Sequence, residues 1–211
     1  KTLLHSAHMA RQMARAARYG LAGAEEITLD HAAVMKRKDK IVRVLESGIR
    51  SALKAAGVDV SDCRGRAAGK DGEYFLVETA EGAFKGRKLL LCMGSESIVP
   101  SIPGLDEAGE RGMVMTSREA LSLTGIPRRL VIVGGGTIGL EMADYFSTAG
   151  AEVTVIEMLD HIGGEMDFDM NKALQALMQK RGVTFRLGYQ ASRIGDGSVT
   201  CQSERETLRI E

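Results

Sequence analysis

Three glycines carry the clearest chemical signal in this chain. They lie in Leu130-Val131-Ile132-Val133-Gly134-Gly135-Gly136-Thr137-Ile138-Gly139-Leu140-Glu141, where Gly134, Gly136 and Gly139 fall on the G-x-G-x-x-G spacing. The first glycine of such a pattern makes a tight strand-to-helix turn. The second lets backbone approach a pyrophosphate, and the third lets helix and strand pack closely. Phosphates placed there meet the free N–H groups and the positive end of a helix dipole. Gly134, Gly136, Thr137, Ile138 and Gly139 are therefore candidate dinucleotide-binding residues.

A glycine pattern alone is weak, so the flanking elements decide. An apolar run of strand length precedes it, and the helix-forming Glu141-Met142-Ala143-Asp144-Tyr145-Phe146 follows. After Gly150 a second strand, Glu152-Val153-Thr154-Val155-Ile156-Glu157, ends in an acid 21 positions beyond Gly136, against about 20 for a ribose-binding carboxylate. Such a carboxylate accepts hydrogen bonds from both hydroxyls of an adenine ribose and repels a 2′-phosphate. The expectation is a dinucleotide site that prefers NAD. Glu141 reads as an acid in the first turn of the helix, favourable to its dipole.

The elements that must position these residues follow an α/β pattern. A helix is expected over Asp169–Arg181 and a third strand over Val183–Leu187, completing a Rossmann-like βαβαβ unit. A β-meander should follow, turning at Gly195-Asp196-Gly197 and near Ser203-Glu204. Ahead of the unit, Thr116-Ser117-Arg118-Glu119 matches a capping box, and Pro127 breaks the chain before Leu130. At the start, an amphipathic helix is expected from Lys1 to about Tyr19, with His5 and His8 in surface or packing roles. A long helix capped by Asp30 and stopped at Gly57 comes next, its Lys36–Lys40 cluster a solvated face. Short strands are expected at Val58–Val60, Arg64–Ala68, Tyr74–Glu78 and Lys85–Lys88. The apolar run Lys88–Gly94 reads as a strand buried on both faces.

Composition narrows the function classes. The 211 residues are 44% hydrophobic, and 28 basic side chains balance 28 acidic ones, so nothing points to nucleic acid or an anionic membrane surface. No apolar run approaches membrane length and no signal peptide is evident, which suggests a soluble, cytoplasmic protein. Cys63, Cys92 and Cys201 form neither a CxxC nor a metal pattern, and no metal is expected. Both ends look cut: Lys1 enters a helical pattern uncapped, and Leu208–Glu211 stops within a strand pattern.

Read whole, the chain resembles the FAD-dependent pyridine nucleotide–disulfide oxidoreductases, most closely their dihydrolipoamide dehydrogenase branch. Three pieces carry the likeness. Lys1-Thr2-Leu3-Leu4-His5-Ser6-Ala7 is similar to the segment after that family's redox-active cysteine pair. Cys92-Met93-Gly94-Ser95 with Pro100 and Pro103-Gly104 is similar to its second flavin-contacting motif, although Met93 stands where threonine is usual. The third piece runs from Ile126-Pro127-Arg128-Arg129-Leu130 to Gly150 and Glu157.

The resemblance implies roles for matching residues. Lys1 corresponds to the lysine beside the flavin and Glu141 to its partner near the nicotinamide. Thr137 falls between flavin and incoming nicotinamide, while Gly65, Ala67 and Gly94 fall at FAD-contacting backbone. Residues 1–112 would be a partial FAD-binding domain with an antiparallel meander. Residues 113–211 would be an NAD-binding domain lacking its last strand. The family's FAD glycine loop, redox cysteine pair, catalytic histidine–glutamate segment and dimer domain have no counterpart here, so no catalytic residue is assigned. The intact enzyme would be a homodimer passing electrons from dihydrolipoamide, carried by a lipoyl protein of a 2-oxo acid dehydrogenase or glycine cleavage system, through a disulfide and FAD to NAD. A sibling coenzyme A disulfide reductase or mercuric reductase, or a non-catalytic NAD-binding module, fits the same residues.

Overall fold

The computed structural model describes residues 1–23 and 27–211. The chain forms two compact units, one of residues 1–41 and 97–211, the other of residues 42–96.

In the larger unit, β4 (Arg129–Val133), β5 (Glu152–Glu157) and β6 (Thr184–Leu187) form a parallel sheet in that order, the first three strands of the chain lying in the other unit. Their register pairs Val131 with Thr154 and Val155 with Phe185. Helix α5 (Thr137–Thr148) joins β4 to β5, and α6 (Phe168–Lys180) joins β5 to β6. This is the expected βαβαβ unit. Leu140, Ala143 and Phe146 on α5 recur at helical spacing and bury with Val153 and Val155. Each large apolar side chain so buried contributes about 1.5–3 kcal/mol. The Asp167 side chain caps α6 by accepting from the Asp169 and Met170 amides.

A second, antiparallel sheet of this unit holds β7 (Gln190–Gly195), β8 (Ser198–Gln202) and β9 (Thr207–Ile210). The turn between β7 and β8 places Asp196 and Gly197 at φ 52 and 70, the conformation of a tight hairpin. Helix α3 (Leu105–Glu110) meets β7 through Gly104, where an added Cβ would stand 1.9 Å from the Ile194 carbonyl oxygen. Helix α4 (Ser117–Ala120) opens on the expected capping box, with Thr116 and Glu119 bonding each other's backbone.

Helix α1 (Thr2–Met13) packs on α5. Arg11 donates to Thr148 and, at 2.9 Å, to Asp144, whose other oxygen accepts from Arg181 at 2.7 Å. One half-buried carboxylate thus joins α1, α5 and the end of α6. Helix α2 (His31–Ala55) begins in this unit under the predicted Asp30 cap. Its His31 is buried between the Tyr145 hydroxyl (2.7 Å) and the Leu123 carbonyl (2.9 Å).

In the smaller unit, β1 (Arg66–Asp71), β2 (Tyr74–Thr79) and β3 (Gly82–Gly86) form the antiparallel meander expected there. No described helix is long and apolar enough to cross a membrane.

Several expectations are corrected. The first helix stops at Met13 because i→i+3 bonds replace the α pattern, Arg15 N–H to Gln12 and Arg18 N–H to Arg15, tightening the chain to Tyr19. Val58–Val60 is not a strand: the Val58 amide donates back to Leu53, closing the end of α2. The Lys36–Lys40 cluster is not wholly solvated, since Arg37 reaches the Thr2 carbonyl and Lys38 the Leu121 carbonyl. Lys88–Gly94 is neither a strand nor buried, with Leu90 84% and Met93 83% exposed. A strand buried on both faces needs a paired neighbour and a cover on each side, and among the described residues this run pairs with none.

Candidate functional site

The site is built where β4 ends and α5 begins. Gly134 leaves the strand at φ +109, a backbone region that only glycine adopts freely, and its amide donates to the Ile156 carbonyl at 2.8 Å. Gly136 caps α5 in an extended conformation, and a Cβ built there meets nothing within 4 Å. Gly139 is different, because its Cβ would stand 2.1 Å from the Gly134 carbonyl oxygen. The three glycines therefore serve three ends: turn, open approach and close packing.

Open space over Gly136 is what a pyrophosphate cradle requires. No side chain caps the start of α5, so the first-turn amides of Thr137, Ile138 and Gly139 have no side-chain acceptor, and the helix dipole favours an anion there. Thr137 and Ile138 are exposed. The residues present fit a dinucleotide.

Glu157 ends β5 beside this loop. One carboxylate oxygen accepts from the Gly135 amide at 2.6 Å, the other from the Leu159 amide at 2.8 Å. Val133, Ile138, Met158 and Leu159 flank the loop and the acid and leave apolar surface exposed. Glu141 is half-buried, but it is the fifth residue of α5 and lies beyond the first turn, which holds no acid. That corrects the sequence expectation: the helix starts at Thr137, so Glu141 gains little from the dipole.

The residues assigned to FAD form no comparable cradle. Lys1 is exposed, and no ion pair joins it to Glu141 among the described residues. Gly65 and Ala67 are exposed at the start of the meander, and a Cβ on Gly65 would meet Val77 at 3.0 Å, so packing accounts for that glycine. Gly94 is exposed at φ +74. Gly65, Ala67 and Gly94 lie at no helix start, so they offer no anion cradle of the kind formed at Gly136.

Sequence reasoning missed a brace behind the glycine loop. The Gly163 amide donates to the Gly135 carbonyl at 2.8 Å. Gly163 has φ +80, and a Cβ there would lie 2.3 Å from Oδ1 of the buried Asn171. The adjacent Gly163-Gly164 pair was the available signal. In the same loop His161 bonds Asp160 and the Gly164 carbonyl; the Asp160 carboxylate raises its pKa and is itself held below the usual carboxylate range.

Comparison with known proteins finds relatives along the length of the chain. A dihydrolipoyl dehydrogenase of Acholeplasma laidlawii is 34% identical over the whole chain, and the mitochondrial dihydrolipoyl dehydrogenase of Pisum sativum is 34% identical over 93% of it. The chain spans 62% and 39% of the lengths of these relatives. Among solved structures, the flavoprotein disulfide reductase RclA of Escherichia coli, in its Cu(II) complex, shares the fold. Its TM-score is 0.75 at 23% identity, covering all of this chain and 43% of that one. The family model described as pyridine nucleotide-disulphide oxidoreductase matches residues 1–210. A glycine loop open to a phosphate at a helix start and a match along nearly the whole sequence lead to one conclusion: this chain belongs to the pyridine nucleotide–disulphide oxidoreductase family.

Proposed function

We propose that residues 113–211 form the NAD-binding domain, and residues 1–112 part of the FAD-binding domain, of an enzyme that oxidises dihydrolipoamide. Family membership carries the use of FAD and a pyridine nucleotide. The choice of NAD rests on Glu157, a carboxylate at the end of β5 that accepts from the Gly135 amide. It offers acceptors to a ribose diol and repulsion to a 2′-phosphate. Gly134, Gly136, Thr137, Ile138 and Gly139 would hold the pyrophosphate, with Glu141 toward the nicotinamide. Only the family resemblance assigns Lys1, Gly65, Ala67 and Gly94 to FAD, and their exposed positions add nothing to that assignment. In the family reading, bound FAD would supply the electron relay between a substrate dithiol and the nicotinamide. This chain's own part is to orient the nucleotide.

The substrate follows from the dihydrolipoyl dehydrogenase relatives. Dihydrolipoamide would arrive on a lipoyl protein of a 2-oxo acid dehydrogenase or glycine cleavage system, with the enzyme a homodimer in the cytoplasm. The test is turnover by the full-length protein, supplied either with dihydrolipoamide and NAD, or with NADH and coenzyme A disulfide or Hg(II). Dihydrolipoamide oxidation supports the proposal. Activity confined to either other substrate would contradict it.

A further inference from the structure

We infer that Glu157 is a positioning residue for the pyrophosphate loop as well as the ribose ligand. The inference rests on the dinucleotide reading above and deepens it. Gly135, between the turn glycine and the cradle glycine, is buried and held on both sides of its Cα. Its amide donates to Glu157 at 2.6 Å, and its carbonyl accepts from the Gly163 amide at 2.8 Å. The other Glu157 oxygen takes the Leu159 amide at 2.8 Å, so the carboxylate is fixed by two backbone donors. Charge-assisted bonds of this kind are about twice as strong as neutral ones. Because Gly135 is buried, water is a poor substitute acceptor, and removing the carboxylate releases the loop. The fit is close from the other direction too: a Cβ at Gly135 would lie 3.2 Å from Cβ, Cγ and one carboxylate oxygen of Glu157.

This clasp does not compete with the ribose. A carboxylate has about four lone-pair positions, and two are in use. The diol can take the remaining positions while Gly135 stays bound. One side chain thereby couples the two halves of nucleotide recognition, and its loss should weaken ligands that have no ribose hydroxyl at all.

The test uses NADH and 2′,3′-dideoxyadenosine diphosphate as probes, titrated into the parent, Glu157→Ala and Glu157→Gln. Glu157→Ala should weaken the dideoxy probe by about tenfold and NADH by more. Glu157→Gln should restore part of the dideoxy affinity, because its amide oxygen still accepts the Gly135 N–H while its NH2 opposes Leu159. Unchanged dideoxy affinity alongside a large NADH loss would overturn the inference, leaving Glu157 as a ribose ligand only. A parent that binds neither probe would instead sink the dinucleotide reading and the inference with it. The clasp has its own readout: the Gly135 amide proton should move upfield in both variants in ¹⁵N-resolved spectra, and an unmoved resonance would refute the bond directly.

Discussion

Two glycines three positions apart should respond differently to the same substitution, one losing stability and the other nucleotide affinity. At Gly139, alanine places a methyl group 2.1 Å from the Gly134 carbonyl oxygen, well inside contact distance, so helix α5 must shift off β4. Helix propensity alone would favour alanine over glycine by about 1 kcal/mol. Overpacking against backbone costs about 1–3 kcal/mol, occasionally more, and here the blocking atom is a backbone carbonyl rather than a yielding side chain. With a backbone atom as the obstacle the cost falls toward the upper end, so the net loss reaches roughly 2 kcal/mol, which at an m-value of about 2 kcal/mol/M lowers the urea midpoint by up to about 1 M. At Gly136 the added methyl meets open space, and φ −75 with ψ 179 suits any residue. The fold should lose less than about 1 kcal/mol there, the difference between glycine and alanine as helix caps. The methyl would instead stand in the open space through which the proposed pyrophosphate must approach. Gly136→Ala should therefore weaken NADH binding in a chain of near-parental stability. Paired urea melts and NADH titrations decide the matter. Equal midpoints for the two variants, or full NADH affinity in Gly136→Ala, would refute the division of labour.

Other outcomes are as specific. Asp144→Ala leaves Arg11 and Arg181 without their shared, half-buried carboxylate and should destabilise the larger unit by about 2–4 kcal/mol in urea melts; a change near zero would show the triad to be incidental. Burial pushes the Tyr145 hydroxyl from 10.0 up to about 12. The folded state thus holds a proton that the unfolded state releases, so stability should fall as pH rises through 10 to 12. Tyr145→Phe should flatten that window in melts taken across it. Gly104→Ala should be among the more destabilising single changes, since φ is +82 and the methyl meets the Ile194 carbonyl at 1.9 Å. Amides of residues 88–99 should exchange with deuterium far faster than those of 130–133 and 152–157; comparable protection would show a strand that the exposed run does not form.

What the sequence made legible depended on how local the determinant was. The β4–α5–β5 unit could be read because its signals lie within thirty or so residues and reinforce one another: an apolar run, glycines at fixed spacing, and an acid at the next strand end. The Asp30 and Thr116 caps were legible for the same reason, each being a side chain bonded to backbone two or three residues away. Lys88–Gly94 was misread because an apolar run reports only that burial would be favourable. Whether a ladder partner is present is a tertiary fact. Val58–Val60 was misread because one helix-end bond to Leu53 takes the amide a strand would need. The Gly163 brace and the Asp144 triad join residues far apart in sequence, and no spacing rule reaches them.

The central claim is that the Gly134–Gly139 loop and Glu157 form a nucleotide site selective for NAD. Calorimetric titration of this chain with NADH and with NADPH at fixed ionic strength tests it most directly. NADH should bind more tightly, and Glu157→Ala should weaken NADH by about one to two decades while narrowing the gap to NADPH. A chain that binds neither nucleotide, or that prefers NADPH, would contradict the claim.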